Sequence, residues 1–131
     1  MENKYKGVII EESLEDKTVL GSVSILDTKI EEVTKKHRTP WVTKWTLHTV
    51  EIPEDRVEII TGQISESLDK NHAWYADFKN REHHYIVFRG KVFFVDRYSK
   101  EQYDEAKKYG ISLGIPEYQV DFHPEVKEWE R

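Results

Sequence analysis

The chain contains no cysteine among its 131 residues. It therefore forms no disulfide, has no thiolate nucleophile and cannot build a cysteine-based zinc or iron–sulfur site. The lack of cysteine also favours a reducing compartment. Internal repeats, low-complexity tracts and interdomain linkers are absent as well, so the length predicts one domain, residues 1–131, with a core of its own.

Long apolar runs are absent too. No stretch approaches the ~20 residues that a membrane-spanning helix needs. The start, MENKYKGVII, lacks the apolar region and small-residue cleavage site of a signal peptide. The sequence thus predicts a cytoplasmic protein without membrane association.

An excess of basic residues is also missing. The net charge is −5 and 34% of the residues are charged, which argues against broad electrostatic capture of duplex nucleic acid. Aromatic residues are plentiful, at 12% with 4 Trp and 7 Tyr. That exceeds what a small core needs, so we expect some rings to be partly exposed and available for recognition.

Trp74–Arg97 holds the densest aromatic and β-branched run of the chain. Apolar and polar residues alternate in its first part, as in a strand with one face in a core. The apolar pattern resumes at His84, and Arg89-Gly90 provides a turn too short for anything but antiparallel neighbours. The segment predicts a three-stranded antiparallel meander.

The other predicted elements follow from the same periodicities. Two helices are expected, one beginning at Pro53 with a single apolar stripe and one beginning at the Ser99 capping box. The remaining predicted strands are Tyr5–Ile10, Val19–Leu26 with a possible extension to Val33, Trp41–Ile52 and Tyr118–Phe122. Gly21, inside the second of these, suggests a bulge or a close backbone approach.

The predicted order is thus β-β-β-α-β-β-β-α-β. Because strands outnumber helices and most links are short, the sequence predicts an α+β fold, with two helices over one face of an antiparallel sheet. From Trp41 onward the order also resembles a ferredoxin-like arrangement. Strands expected at the edge, such as Tyr5–Ile10, would offer pairing sites to a second copy, so both a monomer and a homodimer are open.

No motif of known chemistry is present, neither GxSxG, Walker A, GxGxxG nor HExxH. His83 and His84 are adjacent and would point to opposite faces of a strand, so they cannot chelate one ion together. We expect neither a metal site nor a cofactor. A small metal-assisted hydrolase is the main catalytic alternative, and its candidate residues are Asp77, His84, Asp96 and His123.

A binding or regulatory module for a protein or small ligand is the leading functional hypothesis. It rests on a solvent-exposed face that the sequence predicts for the meander, with aromatic and cationic side chains suited to recognition. We call this face the predicted binding platform. Its residues are Tyr75, Lys79, His83, Tyr85 and Arg89. An enzyme instead requires at least two of the four catalytic candidates within about 4 Å in one concavity.

A single-stranded nucleic-acid binder is the second alternative. The only concentrated basic run contains Lys35, Lys36 and Arg38 and lies close to Trp41 and Trp45. Cations there would hold phosphates while the rings stacked on bases.

Three runs, WYADFKN, HHYIVFRGKVFFVDR and KKYGISLGIPEYQVDF, resemble small stand-alone microbial proteins without an assigned function. The resemblance covers Trp41 to Phe122. It implies no catalytic residue and no ligand.

Overall fold

The computed structural model describes residues 4–34 and 42–115. The fold is α+β, as predicted, with a six-stranded antiparallel sheet and two main helices. The strands are β1 (Tyr5–Ile10), β2 (Ser24–Glu32), β3 (Lys44–Ile52), β4 (Tyr75–Lys79), β5 (His83–Phe88) and β6 (Lys91–Asp96). The helices are α1 (Glu54–Ser67) and α2 (Lys100–Ser112), and two short 3₁₀ segments cover Glu11–Ser13 and Lys17–Ser22. The predicted ninth element, Tyr118–Phe122, lies outside the described residues.

The strand order in the sheet is β2-β3-β1-β4-β5-β6. Strand β1 is therefore central, and the expectation that Tyr5–Ile10 forms an edge was wrong. It separates β3 from β4, which run parallel to each other and are joined through α1. This split β-α-β unit is the only ferredoxin-like feature of the described chain, because its middle strand comes from the N-terminus and not from the strand that follows β4.

The two helices lie on opposite faces of the sheet. Helix α1 packs with Ala76, Phe78 and Val87, and we call this side the α1 face. Helix α2 packs with the intervening residues of the same strands, among them Tyr75 and Ile86, on the α2 face. The expectation of two helices on one face was wrong, because β4 and β5 are apolar on both sides and so have two faces to cover.

The predicted second strand begins later than expected. The chain from Lys17 to Ser22 is a 3₁₀ segment, started by Asp16, whose side chain accepts a hydrogen bond from the Thr18 amide at 3.0 Å. Val19 is buried in the core and not on the sheet. Gly21 therefore marks no bulge; the irregularity of β2 lies between Ile25 and Asp27.

Both helices begin within one residue of the predicted position, although Pro53 is the N-cap of α1 and not its first residue. In α2 the Ser99 hydroxyl accepts a hydrogen bond from the Gln102 amide at 3.2 Å. The Gln102 side chain accepts from the amide of Asp96 at 2.7 Å, so it joins the helix to the end of β6. The apolar stripe of α1 is buried throughout; its residues are Val57, Ile60, Ile64 and Leu68. Neither helix of the described chain is long and apolar enough to cross a membrane.

Candidate functional site

A cleft of about 480 Å³ opens on the α2 face beside the central strands. Helix α2 packs against β4, β5 and β6, and the cleft lies where this cover ends. Strands β3, β1 and β4 provide its floor. The lining residues are Lys6, Gly7, Val8, Thr49, Asp77, Lys79, Asn80 and Arg97.

Three cationic side chains line this cleft. Lys6 and Lys79 are directly opposite each other in the β1–β4 ladder, so their side chains leave the same face of the sheet. Like charges directly opposite one another destabilise a sheet. Arg97, which follows β6, reaches across to the end of β4 and donates from Nη1 to the Asn80 carbonyl at 2.7 Å. Its Nε is buried and has no hydrogen-bond partner in the described structure.

A buried chain of three polar side chains lies behind the cleft. Asp77 Oδ2 is 2.8 Å from His84 Nε2, and His84 Nδ1 is 3.0 Å from the Tyr103 hydroxyl. The exposed fractions are 3% for Asp77, 0% for His84 and 2% for Tyr103. Asp77 and His84 come from neighbouring strands and Tyr103 from α2, so this chain ties the helix to the sheet.

A single tautomer of His84 satisfies both of its contacts. Burial raises the pKa of Tyr103 to about 12, although the nearby Arg97 guanidinium acts to lower it. Tyr103 is therefore protonated near neutral pH, and its hydroxyl is able both to donate and to accept a hydrogen bond. With the ring proton on Nε2, the imidazole would donate to Asp77 and accept from Tyr103.

The order of these groups limits their chemistry. In a nucleophilic triad the hydroxyl is accessible and the carboxylate is buried behind the histidine. Here Asp77 is the member that lines the cleft, while the hydroxyl is at the far, buried end. His84 therefore orients Asp77, and Asp77 is the group of this chain that a bound molecule would meet.

Comparison with family models, curated proteins and solved structures gave no match. The resemblance to small microbial proteins stays untested.

The four catalytic candidates are only partly brought together. Asp77 and His84 are in direct contact, but only Asp77 lines the cleft. Asp96 is exposed and accepts a hydrogen bond from the Tyr98 amide at 2.9 Å, so it shapes the turn after β6. His123 lies outside the described residues.

The five residues of the predicted binding platform do not form one face. Tyr75 is buried beneath α2 and Lys79 lines the cleft. Tyr85 lies on the α1 face, where its ring meets Tyr5 at a centroid distance of 5.1 Å. The prediction that these residues share one face was wrong, because Tyr75 is opposite Phe88 on the α2 face while Tyr85 is opposite Phe78 on the α1 face.

The other two residues of the predicted platform also lie away from the cleft. His83 stacks on Phe94 with the ring centroids 4.6 Å apart. Arg89 donates to the carbonyls of Glu66 and Leu68, at 3.0 and 2.5 Å, and thereby caps the C-terminal end of α1.

Lys35, Lys36 and Arg38 of the proposed nucleic-acid site all lie outside the described residues. Within residues 4–34 and 42–115, no three His, Asp or Glu side chains are grouped so that they could hold a metal ion.

Three residues that shape the site are not among those predicted from the sequence. They are Lys6, Arg97 and Tyr103. Lys6 was placed on a strand, but its position opposite Lys79 requires knowledge that β1 pairs with β4. Tyr103 belongs to α2, and its hydrogen bond to His84 depends on which face of the sheet the helix covers. The one available signal was that Lys6 alternates with the core residues of β1.

A second polar cluster lies on the α1 face. His48 Nε2 is 2.9 Å from Glu11 Oε1, and His48 Nδ1 is 2.9 Å from the Thr28 hydroxyl. Glu12 accepts from both the amide and the hydroxyl of Thr46, at 2.6 and 2.8 Å. These contacts fasten the 3₁₀ segment after β1 onto β2 and β3.

The Glu11 contact predicts a loss of stability in acid. The hydrogen bond from His48 lowers the pKa of Glu11, with a smaller effect of Lys17 in the same direction. A carboxyl whose pKa is lower in the folded state stabilises the fold above its unfolded pKa, and this contribution disappears as the pH falls through the folded pKa. We expect Glu11→Gln to remove up to about 1 kcal/mol of this pH-dependent stability, as for a partly exposed ion pair.

Urea unfolding at a series of pH values from neutral to acid measures this effect. Glu105→Gln, on the exposed side of α2, is the matched control and should leave the acid limb unchanged. Identical acid limbs for Glu11→Gln and the parent protein would contradict the role of the Glu11–His48 contact.

Proposed function

We propose that the protein is a small-ligand binding domain that takes a compact anion into the cleft on the α2 face. The observation that carries this proposal is the convergence of Lys6, Lys79 and Arg97 on one cavity of about 480 Å³. That volume lies in the range of small-molecule sites. A bound anion would relieve the repulsion between the opposed lysines, and Arg97 is suited to a carboxylate or phosphate group.

Asp77 defines the rest of the ligand. It is the only carboxylate among the described lining residues, and its Oδ2 atom lies 2.8 Å from His84 Nε2. A second anionic group beside Asp77 would be repelled, whereas a hydroxyl or ammonium group would donate a hydrogen bond to it. The ligand class is therefore a small molecule with one anionic end and one hydrogen-bond donor, such as a hydroxy acid, an amino acid or a sugar phosphate.

A hydrolase is the second candidate, and the contact between Asp77 and His84 favours it. The 2.8 Å distance is well within the separation of about 4 Å set for two candidates, although only Asp77 of the pair lines the cleft. Asp77 would then act as the base toward a bound water or substrate, with His84 orienting it. The described residues offer no group of metal ligands to assist, and complete burial keeps His84 from the substrate.

Binding of small anions to the purified protein tests the proposed function. Isothermal titration calorimetry with inorganic phosphate, short hydroxy acids, amino acids and sugar phosphates should identify at least one ligand. Lys79→Ala is expected to weaken the binding of that ligand by about tenfold or more, since a charge-assisted hydrogen bond contributes about 1.5–3 kcal/mol.

Lys70→Ala is the matched control, because it removes the same charge from an exposed position outside the cleft. It should leave the dissociation constant unchanged. Equal weakening by Lys70→Ala and Lys79→Ala would mean that the anion responds to net charge alone and would overturn the proposal. Turnover of a bound ester that is lost in Asp77→Asn would favour the hydrolase instead.

A further inference from the structure

Strand β2 forms an edge of the sheet and is exposed along nearly its whole length. Eight of its nine residues are exposed, from Ser24 to Ile30 and at Glu32. The apolar side chains Ile25, Leu26 and Ile30 have exposed fractions of 45%, 50% and 61%. In the described structure, no strand pairs with its outer edge. An edge with unpaired backbone groups and exposed apolar side chains is a template for another strand.

We propose that β2 pairs antiparallel with β2 of a second copy of this chain, around a two-fold axis at Thr28. In this register Asp27 of each copy is opposite Lys29 of the other, so two pairs of opposite charge flank the axis. Both side chains lie on the α2 face, since Asp27 pairs with Thr49 and Lys29 with Leu47 in β3. Opposite charges directly across a ladder stabilise it.

The same register brings apolar side chains together. Leu26 of one copy is opposite Ile30 of the other, and Ile25 is adjacent because the irregularity of β2 falls at this point. Two apolar clusters of three residues therefore form symmetrically about the axis. Their burial removes from water the largest exposed apolar side chains of β2.

Other two-fold centres fit less well. An axis at Asp27 or at Lys29 would place two like charges directly opposite each other. An axis at Ile30 would pair Lys29 with Glu31, but only residues 28–32 would overlap within β2. Thr28 is the midpoint of Ser24–Glu32, so this centre alone combines full overlap of the strand with complementary charges.

Two features of β2 commonly protect an edge, a lysine and a bulge. Lys29 Nζ lies 3.8 Å from Glu31 Oε2 of its own strand, and the two side chains are 71% and 38% exposed. Exposed ion pairs contribute little, so Lys29 can exchange Glu31 for Asp27 of the second copy at small cost. The bulge between Ile25 and Asp27 interrupts regular pairing toward both ends of the overlap, which predicts a weak dimer.

Charge reversal with rescue tests the proposed dimer. Sedimentation velocity of the full chain should show a monomer–dimer equilibrium in the micromolar range, as for small transient interfaces. Lys29→Asp and Asp27→Lys are each expected to weaken it by about tenfold or more, because each puts like charges opposite one another. The double variant Asp27→Lys/Lys29→Asp restores the charge pairs and should return to within about threefold of the parent.

Lys70→Asp is the matched control and should leave the dimer unchanged. A parent protein that stays monomeric up to about 1 mM, where a contact would be worth only about 4 kcal/mol, overturns the proposal. A double variant no better than the single ones also overturns it. Rescue by exchanging Lys29 and Glu31 would instead place the axis at Ile30 and overturn the proposed register.

A cross-linking experiment reads the same register without relying on charge. The chain has no cysteine, so Thr28→Cys introduces a unique thiol at the proposed axis. Directly opposite Cβ atoms are about 4.5–5.5 Å apart, close enough for a disulfide after a small shift. Mild oxidation should give a covalent dimer with Thr28→Cys and far less with Glu105→Cys on α2. Equal yields would overturn the proposal.

Discussion

Gly7→Ala is expected to destabilise the protein by about 4 kcal/mol or more, at the upper end of single substitutions. Gly7 lies in the central strand β1, opposite Phe78 of β4. An added Cβ would lie 1.8 Å from the Asp77 carbonyl oxygen and 2.8 Å from both the Asp77 carbonyl carbon and Phe78 Cδ1. Two of these atoms belong to the backbone, so only separation of β1 from β4 relieves the clash. That movement would also open the floor of the cleft.

Gly62→Ala is the matched control for this prediction. Gly62 lies in the interior of α1, and an added Cβ would have no heavy atom within 4 Å. Alanine is favoured over glycine in a helix by about 1 kcal/mol, so this variant should be more stable than the parent. Urea denaturation measures both. A free energy of unfolding for Gly7→Ala within about 1 kcal/mol of the parent would show that the β1–β4 ladder adapts without separating.

The local elements were predictable because neighbouring residues determine them. Alternation and the short turn at Gly90 define the meander of β4, β5 and β6, and the apolar stripe from Val57 to Leu68 defines α1. The capping of α2 by Ser99 is likewise a contact within one turn. None of these requires knowledge of a distant partner.

The site was not predictable to the same degree, because it depends on pairing between distant segments. The sequence shows Lys6 and Lys79 on strands, but only the insertion of β1 beside β4 makes them neighbours. The contact between Asp77 and His84 could be predicted, since the two residues lie on adjacent strands of the predicted meander. The contact of His84 with Tyr103 depends on α2 covering the face opposite α1, whereas the sequence predicts both helices on one face.

Asp77→Ala is expected to lower the free energy of unfolding by about 1–3 kcal/mol, the cost of leaving a buried hydrogen-bonding group without its partner. The substitution leaves His84 Nε2 buried without its acceptor at 2.8 Å, in a ring that has no exposed surface. Tyr103→Phe removes only the hydroxyl at the other end of the chain and should cost about 1–2 kcal/mol. The effects of the two substitutions should not be additive, because both act through the same imidazole.

Asp104→Ala provides the comparison that separates burial from charge. Asp104 Oδ2 lies 2.9 Å from Lys100 Nζ, and the two side chains are 45% and 75% exposed, so the loss of Asp104 should leave the free energy of unfolding almost unchanged. The free energies of unfolding of the two alanine variants, measured by urea denaturation at neutral pH, should therefore differ by about 1 kcal/mol or more. Similar losses would mean that water reaches His84 when Asp77 is removed. In that case the hydrogen bond from His84 would contribute little to stability. The imidazole would then not be the group that orients the Asp77 carboxylate toward a ligand.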